Sequence, residues 1–467
     1  MQVKTKNHSL WSDIKSSISG SELDFTELKL SRAILLLSIP MVLEMSLESI
    51  FAVADIFFVS KLGAEAVATV GITESLVTII YAIAIGLAMA TTAVISRRTG
   101  EKDDEGAAKA AVQAIIVAFI ASLPLALIGV FFSSELLGFM GAEKTIIAEF
   151  SGYTSIMIGS NVVIMLLFVI NAIFRGAGDA SLSMRVLWLS NGINIVLDPI
   201  LIFGWWVFPE LGIEGAAIAT VIGRGTGVLL QLYLLISDSS RIKIVKSHLV
   251  FQWDIIKNLI RVSIGGIFQW LIATSSWVVL VKILSSYGSV VVAGYTIAIR
   301  IFVFSILPSW GMSNAAATLV GQNLGANKPD RAEKSVWTVA GINMIFLGLV
   351  GICFNVFSDF LMQLFTSNTE VIEIGAKCLR VISYGYLSYA FGMVVIQAFN
   401  GAGDTKTPTI INFFCFWLLE IPLAYILAQE LGWAQEGVFY SIVISETALG
   451  IIGFILFKRG KWKLTKV

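Results

Sequence analysis

The chain has 467 residues, of which 57% are apolar and only 14% charged, whereas an ordinary soluble domain is roughly 25% charged. A soluble protein of this length would divide into about three domains, each with a polar surface, and the residues for those surfaces are missing. The 32 basic and 32 acidic residues cancel; their placement orients a chain in a bilayer and marks no nucleic-acid surface.

A helix needs about 20 predominantly apolar residues to cross the hydrocarbon core. Residues 1–32 are polar and lack the pattern of a signal peptide. Apolar runs follow at 33–60, 66–95, 107–132, 146–174, 183–204 and 214–236, numbered here as spans one to six. A polar linker, 237–255, leads to spans seven to twelve at 256–284, 289–320, 332–357, 371–399, 407–428 and 436–457, and a basic tail occupies 458–467. The sequence therefore predicts an all-α membrane protein with an N-lobe over 33–236 and a C-lobe over 256–457.

Basic residues are one-sided. Connections after even-numbered spans carry Arg97, Arg98, Lys102, Arg175, Arg241, Lys243, Lys328 and Arg331, whereas those after odd-numbered spans carry mainly Lys61 and Lys144 among many acids. The positive-inside rule places the even connections in the cytoplasm. Both termini then lie there too, in keeping with Lys4, Lys6 and Lys15 at one end and Lys458, Arg459 and Lys461 at the other. The histidines, His8 and His248, fall outside the spans, so neither can relay protons across the membrane. Cys353, Cys378 and Cys415 lack metal-like spacing and read as small buried hydrophobes.

The two halves are copies. AIFRGAGD around Gly176 returns as AFNGAGD around Gly401, 225 positions later. The same offset pairs Gly100 with Gly325 and Gly63 with Gly288. Each copy holds six spans, an even number, so both insert with the same orientation and are related by an axis along the membrane normal. No GxxxxGK[ST] phosphate loop is present, so any pumping draws on an ion gradient. Composition alone does not separate a carrier from a passive pore.

An ionisable residue at the centre of a span costs roughly 2.5–3.5 kcal/mol on insertion scales, so each marks a functional hypothesis. Span one holds Glu44, Glu48 and Asp55, which fall within 40° of one face and climb about 16 Å along it. Span five places Asn191, Asn194 and Asp198 on one face, with Pro199 next. Pro199 and Pro40 are candidate hinges, since a proline frees a helix carbonyl. These oxygens suit a proton or Na⁺. Across the repeat, Asp55 meets Leu280, Asp198 meets Leu423, Asn194 meets Leu419, Glu48 meets Ala273 and Glu44 meets Gln269. A group needed merely to hold a lobe together would recur, so the ion site is expected in the N-lobe alone. The other intramembrane charges, Glu74, Arg224, Arg300, Glu420 and Glu446, have no shared-face partner on their own helices. Structural pairing across helices, such as Arg224 with Glu446, is the expectation for them.

The stretches ADIFFVSKLGAEAVA, LVGQNLGA, RGAGD and NGAGDTKTP, with NxxxDP in span five, together resemble the multidrug and toxic compound extrusion (MATE) family over essentially the whole chain. The resemblance implies a secondary antiporter that exports organic cations or other amphipathic compounds in exchange for H⁺ or Na⁺. It requires no cofactor and no enzymatic activity, and it implies a monomer in a bacterial inner membrane. The family's N-lobe ion site maps onto Asp55, Asn194 and Asp198, with Glu48, Asn171 and Tyr153 flanking and Thr220 of span six a further position. Span seven has Gln269 where the NorM-type branch has an acid, and span ten has no acid. The chain thus looks DinF-like, without a C-lobe coupling acid. Glu44 and Glu48 bias the substrate toward cations. Two other readings compete: a lipid-linked saccharide flippase, disfavoured by the acidic first lobe, and an intramembrane aspartyl enzyme built on Asp55 and Asp198.

Overall fold

The computed structural model describes residues 10–20, 23–237 and 239–467, and every regular element in them is helical. Lys4, Lys6 and His8 lie outside the described residues. A short helix, Leu10–Ser19, precedes the spans. Eleven helices are long and apolar enough to cross a bilayer: Leu30–Leu62, Glu65–Gly100, Asp104–Phe131, Lys144–Ala177, Ala180–Phe203, Gly212–Ile236, Trp253–Ser285, Ser289–Gly325, Pro329–Gln363, Lys406–Glu430 and Ala434–Lys458. The twelfth span, number ten, is the pair Thr369–Ser383 and Tyr386–Ala402, bent by 59°. The protein is thus an all-α membrane protein of two six-helix lobes related by a parallel repeat.

The backbone carries the repeat more finely than the sequence does. Gly63 and Gly288 open spans two and eight at φ 106° and 104°, and Gly178 and Gly403 end spans four and ten at 95° and 84°. Even Lys102 and Asn327, where side chains disfavour positive φ, match at 61° and 56°. Span four breaks at Ser160 and span ten around Gly385, again 225 apart. The apolar runs gave no sign of these breaks, because hydropathy does not register a lost helical turn.

Side chains with helical spacing cover the outside. Ile345, Leu349, Ile352 and Val356 of span nine are exposed, as are Leu123, Leu127 and Phe131 of span three, the pattern of a lipid-facing stripe. Cys353 shares that outer surface and is exposed, against expectation, whereas Cys378 and Cys415 are buried.

The lobes are fastened at one end, the one bearing the basic connections. A Cβ on Gly100 of span two would overlap the Gln322 carbonyl, and one on its repeat-mate Gly325 would overlap the Arg97 carbonyl. Spans two and eight therefore cross backbone on backbone. Gln322 Nε2 donates to the Gly176 carbonyl at 2.9 Å, and its repeat-mate Arg97 reaches the Ala402 carbonyl at 3.5 Å. Among the described residues, every hydrogen bond between the lobes lies toward this end. The linker is fixed to span three through Gln113, which donates to the Val250 carbonyl at 2.9 Å and accepts from the Gln252 N–H at 3.2 Å.

Candidate functional site

Between the lobes lies a cavity of about 300 Å³. Its N-lobe wall presents Glu48, Tyr81, Asn191 and Arg224, and its C-lobe wall presents Trp270, Trp310, Asn314 and Gln397. The two indoles are 5.4 Å apart between centroids. The Trp270 N–H is buried without a partner among the described residues. A wall carrying two acids, Glu44 and Glu48, and two guanidiniums, Arg175 and Arg224, thus faces an aromatic one, and an aromatic face attracts cations through its quadrupole.

Span one distributes its three acids to different neighbours. Glu44 is fully buried and accepts from Arg175 Nη1 at 2.8 Å and Ser183 Oγ at 3.0 Å, joining spans one, four and five. Glu48 accepts from Asn191 Nδ2 at 3.0 Å. Asp55, one further step along the face, is half-buried and lies within electrostatic reach of Asp198 and Arg224.

Deeper in the N-lobe, Asp198 is completely buried. Asn194 satisfies both of its amide atoms in one orientation only. Its nitrogen donates to Asp198 Oδ2 at 3.0 Å, and its oxygen accepts from the Thr220 N–H at 2.9 Å and hydroxyl at 3.0 Å. Spans five and six come close here because Gly223 packs against Asn194 and the Ser190 carbonyl. Glu48 and Asp55 face a single guanidinium, Arg224, whose Nη1 donates to the Tyr81 hydroxyl at 3.1 Å, while Asp198 faces Asp55. Three neighbouring carboxylates with one fixed cation among them, the innermost fully buried, call for a further cation.

The predicted residues therefore fall into two groups. Glu44, Glu48, Asn171 and Asn191 border the cavity, with Asn171 accepting from Gln231 at 2.7 Å. Asp55, Asn194, Asp198 and Thr220 gather behind it. Tyr153 is packed with Val59, Val70 and Ile213 within electrostatic reach of Asp55, behind the cavity, and Gln269 is buried behind Asn400, so neither lines the cavity itself. Arg224 serves Tyr81 and the N-lobe acids and does not pair with Glu446; the two sit in different lobes, and matching depth does not bring their helices together. Spans one and five run as unbroken helices through Pro40 and Pro199. Sequence reasoning missed the role of Arg224, since periodicity along span six says nothing of what span two offers it. It also missed the Trp270–Trp310 pair, two of twelve tryptophans.

Two pseudo-symmetric lobes around a membrane-embedded cavity, with buried acids in one wall, define a transporter rather than a soluble binding protein. The MatE family profile matches residues 40–200 and again 266–426, once in each lobe, and the chain belongs to that family of MATE transporters. It is 26% identical over 446 residues to "Probable multidrug resistance protein YoeA" of Bacillus subtilis, covering 93% of this chain and 96% of that one. It is 24% identical over 435 residues to "Probable multidrug resistance protein NorM" of Thermotoga maritima, with 93% and 94% covered. A crystal structure of MATE in complex with MaL6 superposes with a TM-score of 0.90 at 27% identity, covering 96% of this chain and all of the other.

Proposed function

We propose that the protein is a multidrug efflux antiporter that exports organic cations or amphipathic compounds in exchange for H⁺ or Na⁺, with the ion held by Asp55, Asn194, Asp198 and Thr220. It works as a monomer in a bacterial inner membrane with both termini in the cytoplasm. The observation that carries the ion site is Asp198: a fully buried carboxylate whose hydrogen-bond donor is an amide, with a second carboxylate, Asp55, facing it. Two acids in a dry site need a shared cation, and the pair is absent from the equivalent positions of the C-lobe.

With the basic end in the cytoplasm, the state described here is closed inward. It is the state that releases substrate and takes up the ion from outside. Ion binding draws span one toward span five, bends it at Pro40 and displaces a cation from the Glu48 wall. A flippase for a lipid-linked pyrophosphate would need free cationic groups in the cleft, yet Arg175 is neutralised by Glu44 and Arg224 faces Glu48 and Asp55.

The test is efflux from proteoliposomes under a pH or an Na⁺ gradient imposed separately. Asp55→Asn and Asp198→Asn should each abolish gradient-driven efflux while the protein still inserts. Undiminished efflux in both variants refutes the site, and the gradient that drives the wild type names the ion.

A further inference from the structure

Two acids of the C-lobe take no part in the site described above. Glu420 of span eleven is 1% exposed, and its Oε2 has no hydrogen-bond partner among the described residues. Glu446 of span twelve lies within electrostatic reach of it.

Their positions are those of N-lobe site residues. Counted from the start of each family match, Glu420 and Asn194 stand at the same place. The helix crossing agrees: Gly215 packs on Leu201 and Ile202, and Gly437 packs on Leu427 and Ala428. Glu446 follows Glu436–Gly437 by the same interval as Arg224 follows Glu214–Gly215. An amide and a guanidinium in one lobe are thus two carboxylates in the other.

What faces Glu420 is rich in acceptors and poor in donors. Ser276 of span seven and Ser445 of span twelve turn their hydroxyls toward it. Each hydroxyl has one hydrogen, divided between the Glu420 carboxyl and the carbonyl of Ala273 at 2.9 Å or Ile442 at 3.0 Å, and Oε2 is left without a partner. The remaining titratable neighbours are Tyr295 of span eight, Tyr389 of span ten and Cys415 of span eleven itself. Neither glutamate forms a salt bridge among the described residues. Span eleven winds as π-helix over Phe413–Glu420 and again over Ile426–Glu430, a form that recurs at functional sites. Beside Glu446, Tyr386 and Tyr389 is a void of about 10 Å³, room for about one water and too small for a hydrated metal ion.

We propose that Glu420 and Glu446 form a second proton-binding site, in the C-lobe, which holds one proton to supply the donor the site lacks. The proton arrives through the single-water void beside Glu446 and resides on one of the two carboxyls. It adds to the N-lobe site and does not depend on it.

The test uses the full-length protein in liposomes, in an Asp55→Asn, Asp198→Asn background that removes the two aspartates of the N-lobe site. Infrared spectra at neutral pH in H₂O and D₂O should show the carbonyl stretch of a protonated, exchangeable carboxylic acid. Glu420→Gln and Glu446→Gln should each remove one carboxyl's worth of that band. Should one variant not insert, the other carries the test. Spectra unchanged by substitution overturn the proposal. So does loss of the band on adding Na⁺ at fixed pH, which would make the site one for a metal ion.

Discussion

Glu44 and Arg175 form a buried ion pair at 2.8 Å, and 225 residues later Gln269 and Asn400 form a reciprocal amide pair at 3.0 and 3.2 Å in the same place. The two pairs do one job, joining the first span of a lobe to its fourth. Glu44 is therefore a fastening that the C-lobe builds from neutral groups. Glu44→Gln or Arg175→Asn alone leaves a buried charge unpaired, a loss of about 3–5 kcal/mol. The double variant reproduces the C-lobe pair. The melting temperature of the purified protein should fall in each single variant and recover most of the way in the double; a double variant no better than the singles refutes the equivalence.

The crossing of Gly100 and Gly325 sets the closed state. Valine at either position overlaps a carbonyl of the opposite helix, and overpacking of this kind costs about 1–3 kcal/mol. That cost falls on the closed basic end alone, so the balance should move about 5- to 150-fold toward the state open on that side. Spin labels on Glu105 and Lys334, both exposed, should report longer distances in Gly100→Val and Gly325→Val. Distances equal to wild type would mean that the crossing does not govern closure.

The scaffold was legible because a membrane span and a repeat are both written as periodicities. Gly63 with Gly288 and Gly178 with Gly403 could be paired by counting, and their φ angles agree to within about ten degrees. The face shared by Asn191, Asn194 and Asp198 was legible for the same reason. Partners on other helices were not. Glu420 and Glu446 looked isolated because each was judged against its own helix, and they approach one another across two. The offset of 225 misaligns them as well, since span eleven is partly π-helical and its connection to span twelve is shorter than that between spans five and six, which shifts the register. Arg224 has no sequence signal for its place among the acids; only the packing of spans one, two and six supplies it.

The Trp270–Trp310 pair predicts a substrate preference. A cation stacked on an indole gains about 0.5–2 kcal/mol. Trp270→Leu or Trp310→Leu should therefore raise KM for a planar organic cation about 2- to 30-fold. KM for a neutral amphipathic substrate of the same size should rise less. Equal losses for both substrates would show that the indoles supply area and shape rather than a cation-binding face.

The basic tail ties the closed end. Trp462 is fully buried and stacks on Phe457 at 4.7 Å. The Thr465 carbonyl accepts from Arg97 of span two at 2.9 Å, and Lys463 Nζ reaches Glu333 of span nine at 2.5 Å, so the tail bridges both lobes. The hydrogen bond to Glu333 holds the Lys463 ammonium above the usual lysine range. A cation with a raised folded pKa stabilises docking below its unfolded value, about 10.4, and loses that contribution only as pH rises through the folded value. Hydrogen-exchange protection of residues 459–467, corrected for intrinsic rates, should therefore stay flat from neutral pH to about 10. Lys463→Met should lower it throughout that range, because the tail then loses its tie to span nine and rests on Trp462 and the Thr465–Arg97 hydrogen bond. Protection that decays between neutral pH and 9, or that survives the substitution, would mean that Lys463 does not hold the tail.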